Sequence, residues 1–426
     1  LLWPFSAGAA NWPQFRGPNM NGSSPEQGLP EKFSKEENVR WVADLPGRSA
    51  ATPVIWEDHV FVSTTNEEGK SLEAWCLNRT GGEVRWRREI AKSLQQDDRS
   101  NYASPSPATD GKLVYFFYGT GDLVALDFDG NEKWRRNIQD DYGRFAFLWT
   151  FSTSPMLFDG KLYLQVLQRD DAVNGRGFAD RPNDSYLLCL DPETGKEIWK
   201  ATRPSDAVAE SREAFTTPVA HTHAGRTEIL IAGGDCVSGH DPATGREYWR
   251  WGTWNPERIG HWRLVPSPVA GDGVVVVCAP KREPVFGIRL GGEGDLGEAG
   301  VAWKNADREV SSDVSTPAFA GGRFFVLHSD RGSIACLRPK TGEVVWSERL
   351  ESRSKFEASP VVADGKIYVV NHLGEMFVMK AGDEFALLHK AELGDNRDEL
   401  VRATPAVSGG NLFVRTDRKL YCFGQE

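Results

Sequence analysis

The sequence predicts an all-β fold: an eight-bladed β-propeller of four-stranded antiparallel blades, its ring closed by an N-terminal strand. Three observations predict it. A Ser-Pro or Thr-Pro step recurs eight times, a strand-turn-strand unit ending in Trp recurs behind it, and a lone Trp strand near the N-terminus matches what the last repeat lacks.

The prolines of the step are Pro53, Pro107, Pro155, Pro218, Pro268, Pro317, Pro360 and Pro405, spaced by 54, 48, 63, 50, 49, 43 and 45 residues. A period of this size marks supersecondary units that bury their apolar faces only against their neighbours. The clearest unit starts at Ser154-Pro155, followed by Met156-Leu157-Phe158-Asp159-Gly160-Lys161-Leu162-Tyr163-Leu164. These are two apolar strands around an Asp-Gly turn, where Gly supplies the positive φ. The unit ends with the strand Tyr186–Leu190, a Pro/Gly turn, and a strand reaching Trp199.

The closing half recurs at Cys76 to Trp86, Ala125 to Trp134, Gly239 to Trp249 and Cys336 to Trp346, with Trp303 ending a divergent copy. The last copy stops at Leu420-Tyr421-Cys422-Phe423, without a Trp strand. Asn38-Val39-Arg40-Trp41-Val42 is a Trp strand with nothing before it, so it is expected to complete the last sheet and close the ring. Closure leaves only short, protected edges. Trp41, Trp86, Trp134, Trp199, Trp249, Trp303 and Trp346 are expected to dock blade on blade, a use suited to large flat rings.

A propeller grows by adding blades, so 426 residues remain one domain, residues 38–426. Residues 11–37, with several prolines and few alternating apolar positions, read as an extended strap laid on the ring, anchored by Trp12 and Phe15. Residues 1–10 are an apolar stub ending in small residues, as at the end of a truncated signal peptide. This implies a periplasmic or secreted protein. No apolar run approaches a membrane span.

A net charge of −10 argues against a nucleic-acid partner, which calls for a basic face. The six cysteines are expected to be buried and unpaired, because Cys76, Cys189, Cys336 and Cys422 fall at equivalent positions of different blades, too far apart to bridge. Cys-x-x-Cys-His, a vicinal cysteine pair, a nucleotide loop and Gly-x-Ser-x-Gly are all absent.

The pattern Ala/Cys-x-Asp-x-x-x-Gly-x-x-x-Trp is intact at Cys189 to Trp199 and, with Gly first, at Gly239 to Trp249; Asn78 and Arg338 replace its Asp in two copies. It resembles the pyrroloquinoline quinone repeat, the blade of quinoprotein alcohol dehydrogenases and of the outer-membrane barrel-assembly lipoprotein. The leader Asn11-Trp12-Pro13-Gln14-Phe15-Arg16-Gly17-Pro18-Asn19 and the stretch Arg203–Ala207 further resemble a subgroup of exported propellers of unassigned function. The resemblance implies either a non-catalytic binding or scaffold protein with an envelope protein or polymer as partner, or a quinone-dependent dehydrogenase. The latter implies pyrroloquinoline quinone with calcium, an Asp base and, usually, a vicinal disulfide, which this chain lacks. The scaffold is the expected role, with no catalytic residue assigned.

Residues just before each innermost strand should ring one mouth of the central channel. Five before each Pro stand Arg48, Tyr102, Thr150, Glu213, Arg263, Ser312, Lys355 and Leu400. Three before stand Ala50, Ser104, Ser152, Phe215, Val265, Val314, Glu357 and Arg402. With Trp149, His261 and Trp262 nearby, the mouth should be polar and mainly basic, suited to a planar acidic ligand held by Arg pairing and ring stacking. The insert at residues 168–184 follows no calcium-loop spacing and reads as a polar loop over the mouth. His221 and His223 share a strand face without a third ligand nearby, so no metal is expected there. A third role is a sugar- or polymer-binding module presenting Trp251, Trp254 and Trp262.

Overall fold

A computed structural model describes residues 10–97, 99–252, 254–394 and 400–425. The segment read as a signal remnant lies outside the described residues except for Ala10. Eight antiparallel sheets follow one another around a ring. Six blades are consecutive runs of four strands, such as Val54–Trp56, His59–Asn66, Ser71–Asn78 and Val84–Ala91 in the first, while within the fifth the two-residue strand Gly294–Asp295 leaves to add a parallel edge to the fourth. The eighth takes three strands from Ala406–Gly424 and its outermost from Val39–Asp44, with Trp41 opposite Cys422. The ring therefore closes by pairing the two ends of the propeller.

One register recurs in the outer strand pair of all eight blades. Cys76 faces Trp86, Ala125 faces Trp134, Cys189 faces Trp199, Gly239 faces Trp249, Gly287 faces Trp303, Cys336 faces Trp346, Val378 faces His389 and Cys422 faces Trp41. A register shift adjoins this pair in every blade. A bulge there turns the indole away from its own sheet, and the small residue opposite leaves room. All six cysteines are buried and free.

Six of the seven tryptophans reach the next blade. Each donates its Nε1–H to a carbonyl in the outer turn of the next blade: Trp41 to Arg79, Trp86 to Phe128, Trp134 to Pro192, Trp199 to Pro242, Trp303 to Pro339 and Trp346 to Gly382, at 2.7–3.2 Å. The ring of Trp86 covers Gly130 of that turn (φ +79°), 2.7 Å from where a Cβ would stand. Gly130→Ala is expected to lower stability by about 1–2 kcal/mol, from the left-handed backbone and displacement of the indole, read as a drop in the urea midpoint. Trp249 differs. It is fully buried in the cluster between the fourth and fifth blades, over Gly239 of its own blade, and donates to Glu228 Oε2 at 2.8 Å.

The leader runs across the face of the ring where the innermost strands continue. Trp12 pairs with Ile55, Pro13 O accepts from Thr109 N, and Gln14 bonds both backbone groups of Leu157. It then crosses to the far blades: Arg16 donates to the carbonyls of Pro317 and Pro360, and Ser23 pairs with Val362. Phe33 packs on Phe423 and bonds His389 through its backbone, filling the interface where the seventh blade lacks a Trp.

Candidate functional site

The channel is a cavity of about 280 Å³, closed by Phe15 of the leader and open at the loop face. Its lowest layer consists of the Ser or Thr before Pro in seven of the eight repeats, Thr52 being the exception. Thr52 N donates to Ser106 Oγ, Ser106 N to Ser154 Oγ, and so on through Thr217, Ser267, Thr316, Ser359 and Thr404, at 2.9–3.2 Å. The backbone of each blade is thereby tied to the hydroxyl of the next. Thr52 Oγ1, where the first and last repeats meet, has no partner among the described residues.

The wall above carries all eight residues three before each Pro, from Ala50 to Arg402. Alternation along an extended chain puts every second residue on one face, which is why positions one and three before the Pro both reach the cavity.

The rim is charged and largely paired. Arg263 meets Glu210 at 3.1 Å, and Trp149 donates to the same carboxylate at 2.9 Å, so the guanidinium lies 5.8 Å from the indole centre. Lys281 lies 3.8 Å from Asp313, and Lys355 is 3.4 Å from Asp330, which also takes Arg282 at 2.8 Å. Glu357 holds His372 at 2.8 Å and Arg402 at 3.3 Å. Burial works to raise the Glu357 pKa. The His372 hydrogen bond and the charges of His372, Arg402 and Arg99 overcome it and hold the group below the usual carboxylate range. Arg99, on the rim, has no ion-pair partner for its guanidinium among the described residues.

Of the sequence candidates, Trp149, Arg263, Lys355, Glu357 and Arg402 line the cavity. Arg48 sits in an adjoining recess with Asp417. Tyr102 turns aside to donate to Gln95 Oε1 at 2.6 Å, His261 is exposed, and Trp262 packs between the fourth and fifth blades. Glu213 is buried behind the wall, paired with Arg169 and accepting from Leu148 N. Above the ring the chain breaks into loops of blade-specific length, so alternation no longer governs where these residues point. Arg99, Lys281, Asp313 and Asp330 also line the cavity and carry no repeat signal in sequence.

Burial pushes the Glu213 pKa up to about 7 despite the pull of Arg169. The folded chain therefore holds this proton more tightly than the unfolded one, and stability from this group falls as pH rises from about 4.5 toward 7. In Glu213→Gln that part of the pH slope should vanish, measured by urea unfolding at pH 5, 6, 7 and 8.

The remaining features lie elsewhere. The insert braces the back of the rim, with Arg176 donating to Phe147 O at 3.1 Å. His221 and His223 flank a groove on the opposite face, beside leader residues Pro18 to Asn21. Trp251 and Trp254 are buried, which removes the aromatic platform expected of a sugar-binding module. No three His, Cys, Asp or Glu side chains converge as metal ligands among the described residues. Calcium takes six to eight oxygens, and each cavity carboxylate is already tied to cationic side chains, so these residues do not fit a calcium-quinone centre.

The fold and site define a β-propeller with a channel stoppered at one end. Residues 34–169, 148–292 and 237–422 match the family described as outer membrane protein assembly factor BamB, and the chain belongs to that family of quinoprotein-like repeats. It is 23% identical over 406 residues to a polyvinylalcohol dehydrogenase of Sphingopyxis sp. (strain 113P3), covering 86% of this chain and 55% of that one. It is 22% identical over 246 residues to BamB of Yersinia pestis, covering 53% and 56%. The solved europium-containing methanol dehydrogenase superposes with a TM-score of 0.71 at 11% identity, covering 98% of both chains, a likeness of fold. The chain spans 22–56% of the length of the curated relatives it matches.

Proposed function

We propose that this protein is an exported, non-catalytic scaffold that docks an envelope protein on the loop face around the channel mouth. The observation that carries this reading is the rim itself: four cationic side chains are neutralised by carboxylates of the same protein, and the cavity carboxylates are not free to hold a catalytic metal. These part-buried pairs hold loops from different blades in one arrangement. A rigid disc with ordered loops suits a macromolecular partner. The relative named as an assembly factor supports the same role, whereas the dehydrogenase relatives support the alternative of a quinone enzyme.

The test is site-specific photocrosslinking in the native envelope. A photoreactive residue at Arg353, exposed on the loop face, should give one discrete adduct, and one at exposed Thr222 on the opposite face should give none. Equal labelling from both faces, or none from either, would contradict the proposal.

A further inference from the structure

The channel axis carries positive charge that its own carboxylates do not balance. Below the hydroxyl ring the Arg16 guanidinium is 1% exposed, and its only partners among the described residues are two proline carbonyls; Nε has none. A buried cation without a counter-ion is costly, and a nearby anion relieves that cost. At the rim, five cationic side chains line the cavity; four are paired with carboxylates, and Arg99 has no ion-pair partner among the described residues.

Between these charges lies the hydroxyl ring. Seven of its oxygens already accept a backbone N–H, and none has an acceptor for its own proton among the described residues. A hydroxyl holds one donor and two acceptor sites, so the ring offers the cavity a circle of O–H donors. Free lone pairs remain as well, but the surrounding positive charge disfavours a cation there.

We propose that the channel binds one oxyanion, seated on the ring hydroxyl protons with Arg99 above, while Arg16, outside the cavity wall at the Pro317 and Pro360 carbonyls, adds positive charge from below. The oxyanion is either a free inorganic ion or the acidic end of a small organic acid. This site is independent of what docks on the rim, so it stands or falls separately from the scaffold role.

Calorimetric titration of the whole chain with sulfate, at constant ionic strength in chloride, should show one saturable site. Benzoate in a parallel titration separates the two sources: tighter binding than sulfate points to an organic acid, weaker binding to an inorganic ion. Ser152→Phe fills the cavity without touching any ring hydrogen bond and should weaken binding at least about tenfold, a loss of about 1.4 kcal/mol. Arg99→Ala, at an exposed and unpaired site, should weaken it severalfold with an unchanged melting temperature. Absence of saturable binding of either anion, or binding untouched by Ser152→Phe, would overturn the proposal.

Discussion

Trp249→Ala is expected to destabilise the protein by about 3–5 kcal/mol, the range for deleting a fully buried aromatic. Three things are lost together. The indole is 0% exposed and packs with the cluster joining the fourth and fifth blades. Its Nε1–H is the partner of Glu228 Oε2, a carboxylate only 2% exposed, so truncation leaves a buried acceptor unpaired. Gly239 opposite has no side chain to collapse into the void. Trp199→Ala should cost less, because Trp199 is half-buried at a blade edge and water can reach the turn it covers. Equilibrium urea unfolding of both variants checks the order, and an equal or larger loss in Trp199→Ala would be inconsistent with the inward role of Trp249.

Arg16→Ala should lower stability by about 2–4 kcal/mol and free the leader. Hydrogen bonds to a charged donor are worth about 1.5–3 kcal/mol each, and Arg16 makes two, to the carbonyls of Pro317 and Pro360 in neighbouring blades. Desolvation offsets part of this gain, since burial depresses the Arg16 pKa to about 9. Arg16→Lys should not rescue, because one ammonium lacks the planar fork that spans two carbonyls. Hydrogen exchange across residues 11–25 should quicken in both variants. Unchanged protection there would show that Trp12 and the backbone pairing hold the leader without Arg16.

The blades were legible in the sequence because each is built from neighbouring segments: the Ser/Thr-Pro step, the Asp-Gly or Gly-rich turn and the Trp all act within about 50 residues. Aligning the Pro steps set the residues five and three before each Pro at one channel mouth; all eight of the latter line the cavity, and of the former Thr150, Arg263 and Lys355 do. The outer rim was not legible to the same degree. Lys281, Asp313 and Asp330 come from loops without a common length, and Glu213 and Tyr102 turn away where the extended chain ends. The hydroxyl ring was in view as the residue before each Pro, but as a repeat marker; its chemistry appears only when eight blades bring those residues together. The stopper could not be read locally either, since Arg16 finds its partners more than 300 residues away.

The proposed role is binding without catalysis. The most direct measurement incubates the purified chain with pyrroloquinoline quinone and calcium, adds a primary alcohol or polyvinyl alcohol, and follows reduction of an electron-accepting dye. The account predicts no turnover above the protein-free rate and no calcium-dependent gain in quinone affinity. Dye reduction that needs quinone, calcium and alcohol together, and that is lost in Glu357→Gln, would contradict it and make the channel a dehydrogenase site.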